Sequence, residues 1–212
     1  MAMRTLSGAR TSLTDPLLIR SVDTPGGGSI GMTLCPGKRQ AAAATGAWAR
    51  DLALDLAEVR RWGAVAVLTL MEQDELARYG VAGFGAAVAS LGMEWHHAPI
   101  RDVDVPGPAF EACWPRVGAR LRTHLSEGRK VLLHCRGGLG RTGTIAARLL
   151  AELGVPAADA VRRVRKARPG AIETHEQEAH ALAVRAVPPS DFREASLDGD
   201  TRPAARHPHQ RP

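Results

Sequence analysis

Residues 131–143 read Val131-Leu132-Leu133-His134-Cys135-Arg136-Gly137-Gly138-Leu139-Gly140-Arg141-Thr142-Gly143, and the fold turns on how this stretch divides. Its apolar opening predicts a strand with Cys135 just beyond its carboxyl end. From Thr142 to Leu153 the residues are apolar apart from Arg148 and Glu152, which predicts a helix buried over most of its circumference. A strand, a tight turn and a helix form the unit of α/β folds, whose ligands bind outside the carboxyl ends of the strands. Gly137, Gly138 and Gly140 let successive backbone N–H groups converge on one concavity that fits a tetrahedral anion. The helix start adds the positive end of its dipole at the same point. A helix N-terminus and a nearby arginine also favour the thiolate form of cysteine, the nucleophilic one. Arg141 offers a planar fork for two phosphoryl oxygens. Cys135 is thus the candidate nucleophile, and Arg136, Gly137, Gly138, Leu139, Gly140 and Arg141 are the candidate phosphate-binding residues. His134 and Thr142 support them, Thr142 as a hydroxyl donor to the departing sulfur.

Working outward, Phe110, Trp114, Val117, Leu121 and Leu125 form a stripe at helical spacing between Pro108 and Glu127. Pro115 either lies in the first turn of that helix or kinks it. Ala64 to Leu70 is a nearly continuous apolar run, as in a strand buried on both faces of a parallel sheet. Asp51 to Trp62 has helical periodicity with Asp51 at its start and Gly63 just beyond. Further strands are expected at Leu17–Val22, Ser29–Leu34 and Met93–Ile100. Further helices are expected at Gln73–Tyr79, Phe84–Leu91 and Pro156–Lys166, and a last one after Thr174, where Thr174 and Gln177 have the spacing of a capping box. The expected architecture is a single α/β domain with a mostly parallel central sheet flanked by helices. It covers residues 16–187, between a mobile N-terminus (1–15) and a disordered Pro- and Arg-rich tail (188–212).

The loop from Pro99 to Pro108 carries Asp102 and Asp104. Transfer of a phosphoryl group from an alcohol or phenol needs a proton for the departing oxygen, and a carboxylic acid on a loop supplies one.

These residues resemble a known family. His134, Cys135, Gly138, Arg141 and Thr142 match the HCxxGxxR[ST] signature of the cysteine-dependent protein tyrosine and dual-specificity phosphatases. The turn Leu34–Arg39 is similar to an LPGxK-like turn of the kinase-associated (cyclin-dependent kinase inhibitor 3-like) branch, with Lys38 and Arg39 available to a phosphorylated partner. Residues 99–106 are similar to its PIxDxxxP pattern. The resemblance implies the protein tyrosine phosphatase-like fold, a phosphocysteine intermediate, and a phosphotyrosine or phosphoserine/threonine protein substrate. It maps the general acid onto Asp102, with Asp104 as the competitor. Residues 172–177 resemble the IQTxxQ loop whose glutamines place the hydrolytic water. Glu173 stands where the first glutamine would be, and Gln177 keeps the second.

Composition narrows the alternatives. The chain has 212 residues, a net charge of +6 and 44% hydrophobic content, enough for a sizeable core. Its basic balance favours anionic partners, but no basic stripe with interleaved aromatics points to nucleic acid. The tail does not contribute to that charge, since Arg193, Arg202, Arg206 and Arg211 balance Asp191, Glu194, Asp198 and Asp200. Cys35, Cys113 and Cys135 are far apart without a CxxC pair, so neither a disulfide framework nor a zinc site is expected, and Cys35 is a candidate for reversible pairing with Cys135. His96 and His97 point to opposite faces of a strand and fit packing rather than metal binding. No cofactor, membrane span or signal core is expected, and the protein is expected to be soluble and cytoplasmic. The sequence carries no signal for oligomeric state. Two other functions fit the same loop: a phosphate-recognition module with little turnover, and a rhodanese-like sulfurtransferase.

Overall fold

The computed structural model describes residues 8–43 and 46–194. The chain enters the sheet through an antiparallel hairpin, β1 (Arg20–Asp23) and β2 (Ser29–Thr33). Two short strands that the sequence did not signal, β3 (Arg39–Gln40) and β4 (Trp48–Ala49), pair antiparallel in a separate two-stranded sheet. Helix α1 (Leu52–Trp62) begins where the Asp51 carboxylate accepts the Leu54 N–H at 2.9 Å and ends at Gly63, whose φ of 95° only glycine adopts without strain. Then come β5 (Ala64–Thr69), α2 (Gln73–Arg78), α3 (Phe84–Ser90), β6 (Glu94–His97), α4 (Pro108–Ser126), β7 (Lys130–His134), α5 (Gly140–Glu152), α6 (Ala157–Ala167), α7 (His175–Ala183) and α8 (Asp191–Glu194).

The main sheet has the order β1-β2-β7-β5-β6. β7 lies at its centre, parallel to both neighbours, and His134 faces Thr33 of β2 on one side and Thr69 of β5 on the other. Three carboxyl ends therefore finish level at one edge. Helix α5 packs on β2 and β7 and is flanked by α4, α6 and α7, which is why nearly all its residues are buried. Glu152, one of its two non-apolar exceptions, is also buried. It accepts from Trp114 Nε1 at 2.7 Å and Arg148 Nε at 2.9 Å, and it pairs with Arg122.

Several boundaries differ from the sequence expectation. β1 starts at Arg20 because the ladder begins there, opposite Met32, though Leu17 is buried. β6 is shorter than expected, but the N–H groups of Ala98 and Ile100 still donate to Thr69 and Leu70 carbonyls, both at 3.1 Å. That line of bonds carries the chain to the same edge as Cys135. Pro115 lies inside α4 rather than at its start. From residue 8 the expected mobile N-terminus is held, the Arg10 backbone pairing with β4 through Ala47 and Ala49 at 2.9 Å. At the other end, Val187 N donates to the Glu152 carbonyl at 2.9 Å and Phe192 of α8 is buried against α4. Residues 1–7 and 195–212 of the two expected flexible ends lie outside the described residues.

A buried ion pair fixes the turn after β2. Arg50 holds Asp55 through two bonds of 2.7 and 2.8 Å, and Asp55 also accepts the Gly37 N–H at 2.8 Å. Removing one partner of such a pair leaves an uncompensated buried charge and costs about 3–5 kcal/mol.

Candidate active site

Cys135 follows β7 directly and is buried, with only 4% of its surface exposed. The Gly138 N–H donates to its Sγ at 3.2 Å. Gly138 has φ 70°, and a Cβ there would lie 2.3 Å from the Thr33 carbonyl, so the loop fits against β2 only with glycine at this point. Arg168, in the turn after α6, donates from Nε to the Gly138 carbonyl at 2.5 Å and from Nη2 to the Gly137 carbonyl at 3.0 Å. With those carbonyls drawn outward, the N–H groups of Arg136, Gly137, Leu139 and Arg141 have no protein acceptor among the described residues. The Gly140 N–H is taken by the Glu173 carboxylate at 2.7 Å, which caps α5 in place of a local residue. Burial holds the Arg168 pKa below the ordinary arginine value, with Cys135 acting in the opposite direction.

Arg141 is buried and held on its far side. Glu75 accepts from Nη1 at 2.6 Å and Nη2 at 3.0 Å, and the Ile100 carbonyl accepts from Nη1 at 2.9 Å. Burial works against the charge, but Glu75, Cys135 and Asp102 outweigh it, so the guanidinium pKa lies above its ordinary value. Glu75 was not singled out from the sequence. The signal available was Glu72-x-x-Glu75 at the start of α2, and Glu75 does close that box on the Glu72 N–H at 2.9 Å. A buried arginine needs a carboxylate, but Glu72 and Asp74 compete for the assignment until the fold is known.

Of the two loop aspartates, Asp102 reaches the site. Its Oδ1 accepts from Arg141 Nη2 at 2.8 Å, and its Oδ2 lies 2.7 Å from Arg136 Nη1. Asp104 is exposed and turns back to accept its neighbour's N–H, Val105, at 2.8 Å. Between them Val103 adopts φ 67°, in the left-handed region that a β-branched residue rarely enters. The Asp104 carbonyl accepts from Gln177 Nε2 at 3.1 Å. Gln177 is fully buried, and its Oε1 accepts the Glu173 N–H at 3.0 Å. The expected capping box is therefore half-formed: Thr174 Oγ1 accepts the Gln177 N–H at 3.2 Å, but the glutamine side chain ties Glu173 to the Asp104 loop instead of returning to Thr174.

Behind Cys135, His134 is fully buried and its Nε2 bonds Thr69 Oγ1 at 2.8 Å. Thr69 in turn accepts from Trp95 Nε1 at 2.9 Å, and the Phe84 ring lies 4.6 Å from the imidazole. Burial lowers the His134 pKa to about 3, so the ring is neutral and serves as a hydrogen-bonded strut. The expected Thr142 bond to sulfur is not formed: Thr142 Oγ1 is buried without a hydrogen-bond partner. Lys38 is buried with Nζ 4.9 Å from the Trp48 ring centre, which leaves Arg39 as the exposed cation of that turn. Cys35 is fully buried and free, and Cys113 is half-buried. His96 pairs with Glu94 and His97 with the Met71 carbonyl, and no cluster of metal-ligating side chains occurs among the described residues.

Comparison with known proteins follows the same loops. The profile of the family described as cyclin-dependent kinase inhibitor 3 matches residues 31–160. The rat cyclin-dependent kinase inhibitor 3 is 35% identical over 133 residues, a match spanning 60% of this chain and 60% of that protein. Among solved structures, a kinase-associated phosphatase with serine in place of its catalytic-site cysteine superposes with a TM-score of 0.68 at 27% identity, covering 78% of this chain and 92% of that one. Tk-PTP in its active form superposes with a TM-score of 0.54 at 30% identity, covering 71% and 87%. The matched segment contains the end of β2, the Asp102 loop, β7 and the whole of the Cys135 loop, so the chain belongs to the cyclin-dependent kinase inhibitor 3 family.

Proposed function

We propose that the protein is a protein phosphatase, a cysteine-dependent hydrolase of phosphate monoesters on tyrosine or on serine and threonine. The observation that carries this reading is the meeting of Cys135, Arg141 and Asp102 at one sheet edge, with Asp102 bonded to the very arginine that would bind phosphate. Cys135 Sγ attacks phosphorus in line, and an S–P bond forms as the P–O bond to the leaving group breaks. Arg141 and the free loop N–H groups hold the three equatorial oxygens, so catalysis is mostly positioning and electrostatics. Asp102 gives its proton to the leaving oxygen. Water then attacks phosphorus, Asp102 takes its proton, and the S–P bond breaks with its electron pair returning to Cys135 as inorganic phosphate is released, the Gly138 N–H that donates to Sγ stabilising the departing thiolate.

Glu173 and Gln177 have a different part from that of the two glutamines in the pattern they resemble. Glu173 caps the Gly140 N–H, and both ends of the Gln177 amide are used, so the pair joins the acid loop to the nucleophile loop. A phosphorylated protein substrate is supported by the family, whose solved relative is described as kinase-associated. Three free cysteines fit a reducing compartment such as the cytoplasm. Among the described residues, no helix is long and apolar enough to cross a membrane.

Turnover of 4-nitrophenyl phosphate and of phosphotyrosine, phosphoserine and phosphothreonine peptides tests the reading. Cys135→Ser is expected to abolish it. Undiminished turnover by that variant would rule the mechanism out, whereas phosphopeptide binding by wild type without turnover would mark a recognition module.

A further inference from the structure

Asp102 is held by two arginines, and a phosphate cannot leave both contacts in place. Arg141 Nη1 is committed to Glu75 and the Ile100 carbonyl, while Nη2 serves Glu75 and Asp102 Oδ1. Glu75 occupies the Nη1/Nη2 edge, so a two-bond grip on a phosphoryl group is left the Nε/Nη2 edge, where the phosphate competes with Asp102 for Nη2. Two anions on one N–H edge repel, and the looser one gives way. Asp102 is the looser, on an exposed loop with its side chain 34% exposed. After that exchange the Arg136 contact at 2.7 Å is the side-chain bond left to Asp102.

Arg136 is suited to keep it. It directly follows the nucleophile, so its backbone is part of the rigid loop, while its side chain is 43% exposed and free to follow small movements of the acid loop. The buried Tyr79 at the end of α2 lies beside its guanidinium. Burial works against the charge on Arg136, but Tyr79 and Asp102 outweigh it, and its pKa lies above the ordinary value.

We propose, on the phosphatase reading above, that Arg136 is a positioning residue that holds Asp102 over the loop once phosphate has taken Arg141, and that it fixes which oxygen carries the proton. A guanidinium donates and never accepts. The oxygen bonded to Arg136, Oδ2, must therefore be the bare acceptor, and the proton sits on Oδ1, the oxygen turned toward Arg141 and the loop. In the first step the S–P bond forms, the P–O bond breaks with its electron pair going to the leaving oxygen, and the proton passes from Oδ1 to that oxygen. Asp102 is left as a carboxylate with Oδ2 still on Arg136.

A general acid matters in proportion to the basicity of the leaving group, and that separates positioning from substrate binding. The experiment measures kcat and kcat/KM of wild type, Arg136→Ala, Arg136→Lys and Asp102→Ala on phenyl, 4-nitrophenyl and 2,4-dinitrophenyl phosphate. Arg136→Ala is expected to lose about tenfold on phenyl phosphate and less than about twofold on 2,4-dinitrophenyl phosphate, a smaller version of the contrast shown by Asp102→Ala. Arg136→Lys should recover part of the phenyl phosphate loss, and adding Arg136→Ala to Asp102→Ala should cost nothing more on that substrate. A loss equal across the three esters, or confined to KM, would make Arg136 a substrate-binding side chain and overturn the proposal, as would no loss at all. If Asp102→Ala itself shows no leaving-group contrast, Asp102 is not the acid and the proposal falls with that assignment. A contrast for Asp102→Ala without one for Arg136→Ala sinks the proposal alone.

Discussion

The two loops that meet at the site are built in opposite ways. The Cys135 loop lies between the central strand and a helix buried almost all round, its glycine is pressed against β2, and its carbonyls are held by Arg168. The Asp102 loop hangs from the end of β6 by Asp102 on two arginines and by one buried glutamine on the Asp104 carbonyl. A phosphate nest must be rigid, because its donors stabilise the transition state only if they need not reorganise. An acid that must give way to the substrate and then protonate a leaving group is better placed on a loop with few, exchangeable contacts.

The largest test of this contrast lies on the exchangeable side. Asp102→Asn is expected to cost on the order of 10²–10⁴ in turnover of a phosphotyrosine peptide, and Asp104→Asn only a few-fold, since the Asp104 carboxylate faces Val105. Loss of the high-pH limb of the kcat/KM profile by Asp104→Asn alone would reverse that assignment. On the rigid side, Gly138→Ala forces a Cβ to within 2.3 Å of the Thr33 carbonyl at a φ of 70°. It should cost on the order of 10²–10³ in kcat, comparable to losing a preorganised donor. An alanine variant with near-normal kcat would mean that the loop is more compliant than its packing implies.

The link between the loops gives a smaller effect. Gln177→Leu keeps much of the buried volume but frees the Asp104 carbonyl and the Glu173 N–H, and kcat should fall about tenfold with KM little changed. A rise in KM alone would show that Gln177 serves substrate binding instead. The smallest effect concerns the strut behind Cys135. His134 takes up a proton near pH 6.5 when unfolded but only near about 3 when folded. The unfolded state therefore binds more protons between those values, and stability falls as pH drops below 6.5 by at most about 1.4 kcal/mol per unit. Melting temperature should follow by roughly 3–6 °C per pH unit, and His134→Gln should flatten that slope. An unchanged slope would mean that other groups set the acid sensitivity.

The sequence made the rigid half of this comparison legible because its chemistry is contiguous. Cys135, the glycines and Arg141 lie within one strand–turn–helix unit, and apolar periodicity predicts that unit directly. The sites of β2, β5, α1 and α4 were legible for the same reason, and the boundary shifts at β1 and β6 came from ladder pairing that a single strand does not encode. β3 and β4 went unseen because two residues are too few to show a period.

What the sequence determined by itself was the strand–turn–helix unit with Cys135, its glycines and Arg141 at their spacing, since a local pattern is enough to define it. Only tertiary structure decided what lies across from them. It put Glu75 behind Arg141 and Arg168 under the loop carbonyls, it set Asp102 rather than Asp104 toward the site, and it turned Gln177 from a helix cap into a tie between loops. Each of these is a bond between residues 30 to 73 positions apart. Such bonds depend on which strands finish level at one edge, and no local pattern of residues carries that information.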